Sequence, residues 1–130
     1  GLGRLDARWG TFVMDGRGVR CVSDRPWVTV AETCECAMAL LALGESDRAV
    51  TLFRWAQLHR EADGRYWTGT VYPEQVHFPG GEQSTYTAAS VVLAADALSR
   101  TTPASGLFVA HGDLLPPLVL DAADTVPDPD

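Results

Sequence analysis

The stretch from Thr29 to Gly44 constrains this chain more than any other, because it is helix-length and apolar on nearly every side. Ala31, Cys34, Ala37, Met38 and Leu41 recur at the spacing of one helical face, while Cys36, Ala39, Leu40 and Leu43 cover much of the opposite side. Such a helix must be surrounded by other elements. Thr29 with Glu32 three residues on predicts a capping box at its start, Pro26 lies just outside, and Gly44 predicts its end.

The neighbours that could surround it follow in the sequence. A second helix is expected after Ser46 as N-cap, with Ala49, Leu52, Phe53 and Ala56 forming one stripe. The short Gly44-Glu45 link makes the two helices an antiparallel hairpin, closed by Asp63-Gly64. A third helix is expected from Ser84 or Thr85 to Arg100, apolar at Ala88, Val91, Val92 and Ala95, with Asp96 as its strongly polar interior group. The fold class expected is therefore all-α, built of antiparallel helical hairpins. Residues 1–27, rich in Gly, Arg and Asp, read as a loop in which Val13 to Val19 forms two short extended pieces around a tight turn.

A chain of 130 residues suits one domain. Residues 1–100 are expected to form the helical-hairpin domain. Residues 101–130, rich in Pro and Asp, are expected to form a partly disordered extension, in which Leu114 to Val119 is apolar enough to dock on the helices. Gly1 in place of Met points to processing or to a longer parent chain.

The formal net charge of -7 opposes binding to nucleic acid or to an anionic membrane surface. No apolar run is long enough to span a bilayer and no export signal is visible, so a cytoplasmic location is expected. The absence of Lys removes P-loop and Schiff-base chemistry, and with the absence of Asn and Ile it suggests a GC-rich bacterial gene. Cys21, Cys34 and Cys36 are an odd number and read as free thiols. On a helix Cys34 and Cys36 diverge by about 200°, so no metal site is expected, and no cofactor is identified.

Chemistry concentrates in two places. Glu32 and Glu35 are three apart and emerge together from the first turn of the first expected helix, where paired carboxylates can act as acid and base or can simply favour the helix dipole. Glu35, flanked by apolar neighbours, is expected to need a partner such as Arg17, Arg20 or Arg25. The second place is the irregular segment 65–83, where Tyr66, Trp67, Tyr72 and Phe78 alternate with Glu74, His77 and Glu82. Aromatic faces there could stack on a sugar or shelter a cation, and the carboxylates could move protons. Core filling is the competing reading for the aromatics. His59 and His111 read as structural.

Arg48-Ala49, Phe53, Trp55, Gln57 and Asp63-Gly64-Arg65-Tyr66-Trp67 resemble the Gln-Trp repeat of the terpenoid cyclase and prenyltransferase superfamily, at a longer spacing from Gln57 to Gly64. Asp24-Arg25-Pro26-Trp27, Tyr66-Trp67-Thr68-Gly69, Tyr72-Pro73 and Thr85-Tyr86-Thr87-Ala88-Ala89 look like actinobacterial proteins called prenyltransferases. The resemblance implies an α/α toroid with a central cavity. Three helices would make an incomplete ring, to be completed by a second copy or by an N-terminal portion.

Neither the Asp-x-Asp-Asp acid motif nor the zinc ligands of that superfamily are present, so the resemblance implies architecture rather than activity. On this reading an isoprenoid or prenyl-linked substrate lies against Trp67, Tyr66, Tyr72, Phe78, Trp27 and Arg25, with Glu35, Glu82 or Glu32 as proton donor. Six-hairpin glycosidases share the architecture and offer an alternative, in which Glu35 or Glu82 would act on a glycan stacked on Trp67 and Tyr72. A non-catalytic helical module binding a lipid or glycan is the third reading.

Overall fold

A computed structural model describes residues 1–108. Its elements, in chain order, are α1 (Leu2–Phe12), β1 (Val13–Met14), β2 (Gly18–Arg20), β3 (Trp27–Thr29), α2 (Val30–Ala42), α3 (Ser46–Ala56), β4 (Gly69–Val71), β5 (Val76–Phe78) and α4 (Thr85–Ser99). Short 3-10 turns follow α3 at Gln57–His59 and α4 at Pro103–Gly106. The five strands form one antiparallel sheet in the order β1-β2-β3-β4-β5. The α2–α3 hairpin is inserted between the neighbouring strands β3 and β4.

The three expected helices are present as α2, α3 and α4, but the fold is mixed α and β, which corrects the all-α expectation and the incomplete toroid. The physical reason is the brevity of the strands. Each has two or three residues, too few to set up a period-two pattern, and β4 and β5 lie inside the aromatic segment that reads as irregular. The hairpin expected between Val13 and Val19 is formed by β1 and β2, with Val13 opposite Val19 and Gly16 at φ +70° in the turn.

Residues 2–12 are helical rather than loop. Leu5, Trp9 and Phe12 make a stripe at the helical period, and all three pack on buried Val19, Ala37, Leu40, Ala49 and Leu52. Gly3 and Gly10 each cost the helix about 1 kcal/mol of propensity, which this packing outweighs.

Helix α2 is surrounded as its sequence requires. It packs on α3, α4, β2 and β3, and Val30, Cys34, Ala37 and Leu40 are wholly buried. Burial of Leu40 or Leu52 contributes about 1.5–3 kcal/mol each. The expected capping box does not form, because the Thr29 side chain makes no cap hydrogen bond and its hydroxyl is buried without a partner. Thr33 instead ties the helix to the sheet. Its hydroxyl donates to the Thr29 carbonyl at 2.6 Å and accepts from the Val19 amide at 2.9 Å. Gly44, at φ +82°, takes the left-handed position that ends the first helix of the hairpin.

Helix α4 opens on Ser84, whose hydroxyl accepts from the Thr87 amide at 3.2 Å. Asp96 holds the end of this helix. Its carboxylate accepts from the Thr102 amide at 2.9 Å and the Thr102 hydroxyl at 2.7 Å, folding residues 101–108 back on the helix. The expected docking of Leu114 to Val119 and disorder of the last residues lie outside the described residues. No described helix is long and apolar enough to cross a membrane.

Candidate functional site

The aromatic segment is a hairpin, and its side chains are distributed over separate groupings. Trp27 of β3 and Phe78 of β5 meet at 5.5 Å between ring centroids. The Phe78 ring lies against Gly69, where a Cβ would come within 2.6 Å of its Cε1 atom. Tyr72 follows β4 and carries the Arg17 guanidinium over its ring at 4.4 Å. Trp67 stacks on His77 at 4.3 Å and donates from its indole nitrogen to Glu61 Oε1 at 2.5 Å. Tyr66 turns the other way, packs on the core beside Cys34 and Ala56, and donates to Gln57 Oε1 at 2.6 Å. Trp27 and Phe78 are thus brought together, while Tyr66 is separated from them. Arg25 is exposed and approaches Asp24 at 4.0 Å.

Two histidines extend the grouping at Trp67. His59 is buried and its Nδ1 lies 2.9 Å from the Thr70 hydroxyl, which lies 3.4 Å from Nδ1 of His77. Burial pushes the His59 imidazole below its ordinary value, with the Arg17 backbone opposing and the His77 charge adding to the effect. Register accounts for part of this array, since Thr70 pairs with His77 across β4 and β5.

The three candidate carboxylates part company. Glu82 sits on the turn before α4, where its amide donates to the Pro79 carbonyl and its carbonyl accepts from Thr68. Glu32 is half-buried on the first turn of α2 and its charge helps push the Cys21 thiol up, after burial. Glu35, one turn further, is exposed, and its partner is the Tyr86 hydroxyl rather than an arginine. Arg17 lies on Tyr72 and Arg20 bonds the Thr11 carbonyl.

Glu35 and Tyr86 stand in a cleft of about 450 Å³ between α2 and α4. Met38, Ala39, Leu93 and Phe108 give it apolar walls. Its size falls in the range of small-ligand sites. The hydrogen bond to Glu35, the Glu35 charge, slight desolvation and the Glu32 charge together hold the Tyr86 phenol above its ordinary value. Tyr86 therefore remains a donor to the carboxylate at neutral pH. Sequence reasoning singles out Glu35 but misses Tyr86, because no local spacing rule links residues 51 apart.

Among the described residues no group of three or more His, Cys, Asp or Glu is placed to hold a metal ion. No protein-family model matches the chain. The chain is 53% identical over 105 residues to a protein of Mycolicibacterium hassiacum named MMP endo-(1,4)-3-O-methyl-alpha-D-mannosidase, an alignment covering 81% of this chain. The aligned stretch spans 29% of that relative's length. This similarity and the antiparallel sheet overturn the resemblance to prenyltransferases, and with it the transferase and isoprenoid reading. The comparison favours the carbohydrate-processing alternative, since the relative is by name a glycosidase.

Proposed function

We propose that this chain contributes a substrate-binding cleft to a glycosidase that cuts within chains of (1,4)-linked, 3-O-methylated α-D-mannose. The observation that carries the reading is the 53% identity over 81% of the chain with a relative named for that activity. The α2–α4 cleft fits the chemistry. A methyl ether replaces a hydroxyl donor by an apolar group, and Met38, Leu93 and Phe108 offer it an apolar wall beside one carboxylate. Burying one such methyl contributes about 0.8 kcal/mol, close to a fourfold preference over the unmethylated sugar.

In this cleft Glu35 serves as the general base that takes a proton from the water attacking the anomeric carbon as the glycosidic C–O bond breaks, with Tyr86 orienting its carboxylate. Glu32, one helical turn away and close enough for its charge to act on Tyr86, enters protonated from beside the cleft and gives its proton to the departing sugar oxygen. Trp27, 38% exposed and backed by Phe78, offers a face to a further sugar of the chain.

The test is release of oligosaccharides from methylated mannan by the protein as its gene encodes it. Glu35→Gln should lower the rate about 10²–10⁴-fold while leaving the circular dichroism spectrum unchanged. Undiminished release by that variant would remove Glu35 from the reaction. No release by the unaltered protein would remove the glycosidase reading itself.

A further inference from the structure

A second cleft, of about 360 Å³, opens on the other side of the helical hairpin. Trp9 of α1, Asp15 of the β1–β2 turn, and Asp47, Arg48, Thr51 and Trp55 of α3 line it. We propose that this cleft binds a neutral pyranose ring. The inference rests on the glycan reading above for its ligand class, and adds a place where a sugar is held apart from Glu35.

Trp55, half-buried in the cleft wall, gives a sugar an apolar face for its ring C–H groups, and Trp9 stands beside it with its own ring covered by Arg48. Arg48 is already committed. Its guanidinium lies 4.0 Å over the Trp9 ring, and its NH1 nitrogen reaches Asp6 at 2.8 Å and Glu45 at 3.8 Å. The Arg48 charge is therefore matched by carboxylates outside the cleft and is not left for an anionic ligand. Asp15 and Asp47, by contrast, form no ion pair among the described residues. Two exposed carboxylates repel phosphates, sulfates and uronates, and accept hydrogen bonds from adjacent hydroxyls. One indole wall, an acceptor-rich rim and a cation already matched by carboxylates select a polyol of ring shape.

The experiment is a titration of the full gene-encoded protein, labelled at its indole nitrogens, with an α-(1,4)-linked oligosaccharide of 3-O-methylmannose. Trp9 and Trp55 signals are assigned through Trp9→Phe and Trp55→Phe, which preserve aromatic bulk where both side chains also pack on the core. Saturable shifts of both signals are expected. Asp47→Asn, at an exposed position, should weaken that binding about tenfold while the fold, read by circular dichroism, is kept.

Shifts confined to other indoles, no shift at all, or unchanged affinity in Asp47→Asn would each overturn the proposal. Choline serves as a second probe, and tighter binding of that cation at the same signals would reassign the cleft as a cation site. Since hydrolysis is not read, an inactive protein that still shows the shifts leaves this inference standing while the glycosidase reading falls.

Discussion

The Tyr86 hydroxyl donates a hydrogen bond to Glu35 Oε1, joining the first turn of α4 to the second turn of α2 across 51 residues of sequence. Each residue alone is an ordinary exposed side chain. Together they place a donor and a carboxylate at the edge of an apolar cleft.

This pairing predicts how Tyr86 titrates. The largest cause of its raised value is the hydrogen bond to Glu35, followed by the Glu35 charge. Glu35→Gln removes the charge, so the Tyr86 ionisation read by ultraviolet absorbance should move down toward the ordinary phenol range. A titration curve identical in the two proteins would show that the pair does not form in solution.

The helices were legible because α2, α3 and α4 carry periodic apolar residues and cap or turn signals at Ser84 and Gly44. The sheet was not. Gly69-Thr70-Val71 and Val76-His77-Phe78 are strands because β3 offers an edge for Val28 to pair with Thr70, and that partner is 42 residues away in sequence. Neither segment shows a preference strong enough to be read alone. In the candidate site, Glu35 stood out through its apolar neighbours on the helix. Tyr86 and the His59–Thr70–His77 array depend on contacts between elements and left no local trace.

Gly69 marks a close approach that only glycine permits. A Cβ there would lie 2.7 Å from the Val28 carbonyl oxygen, which is fixed by the sheet, as well as 2.6 Å from the Phe78 ring. Gly69→Ala should therefore cost about 1–3 kcal/mol. The check is a lowered denaturant midpoint with an unchanged slope. A midpoint equal to that of the unaltered protein would mean that the Phe78 ring does not rest on this residue.

Cys34 should resist thiol reagents. Burial, and secondarily the Glu35 charge, push its thiol up to about 12, leaving little thiolate at neutral pH. Cys21 and Cys36 are only partly buried. Within residues 1–130, Ellman's reagent at pH 8 should modify Cys34 only after unfolding, and mass mapping identifies the site. Prompt labelling of Cys34 in the folded protein contradicts its placement against Met38 and Val91.

His59 makes stability depend on pH in a defined direction. Burial is the main cause that lowers its folded value below the ordinary 6.5, so the unfolded chain takes up the proton first as pH falls. The stability associated with neutral His59 is fully present above pH 6.5 and is lost as pH drops from there toward the folded value. Most carboxylates titrate lower, which separates the histidine contribution from general acid denaturation. Melting temperature should therefore fall as the pH is lowered below about 6.5 in the unaltered protein. His59→Gln keeps a polar group near Thr70 but cannot take up the proton, so its melting temperature should be lower at pH 7 and flatter across the same window. Parallel curves for the two proteins would assign the acid sensitivity to other groups.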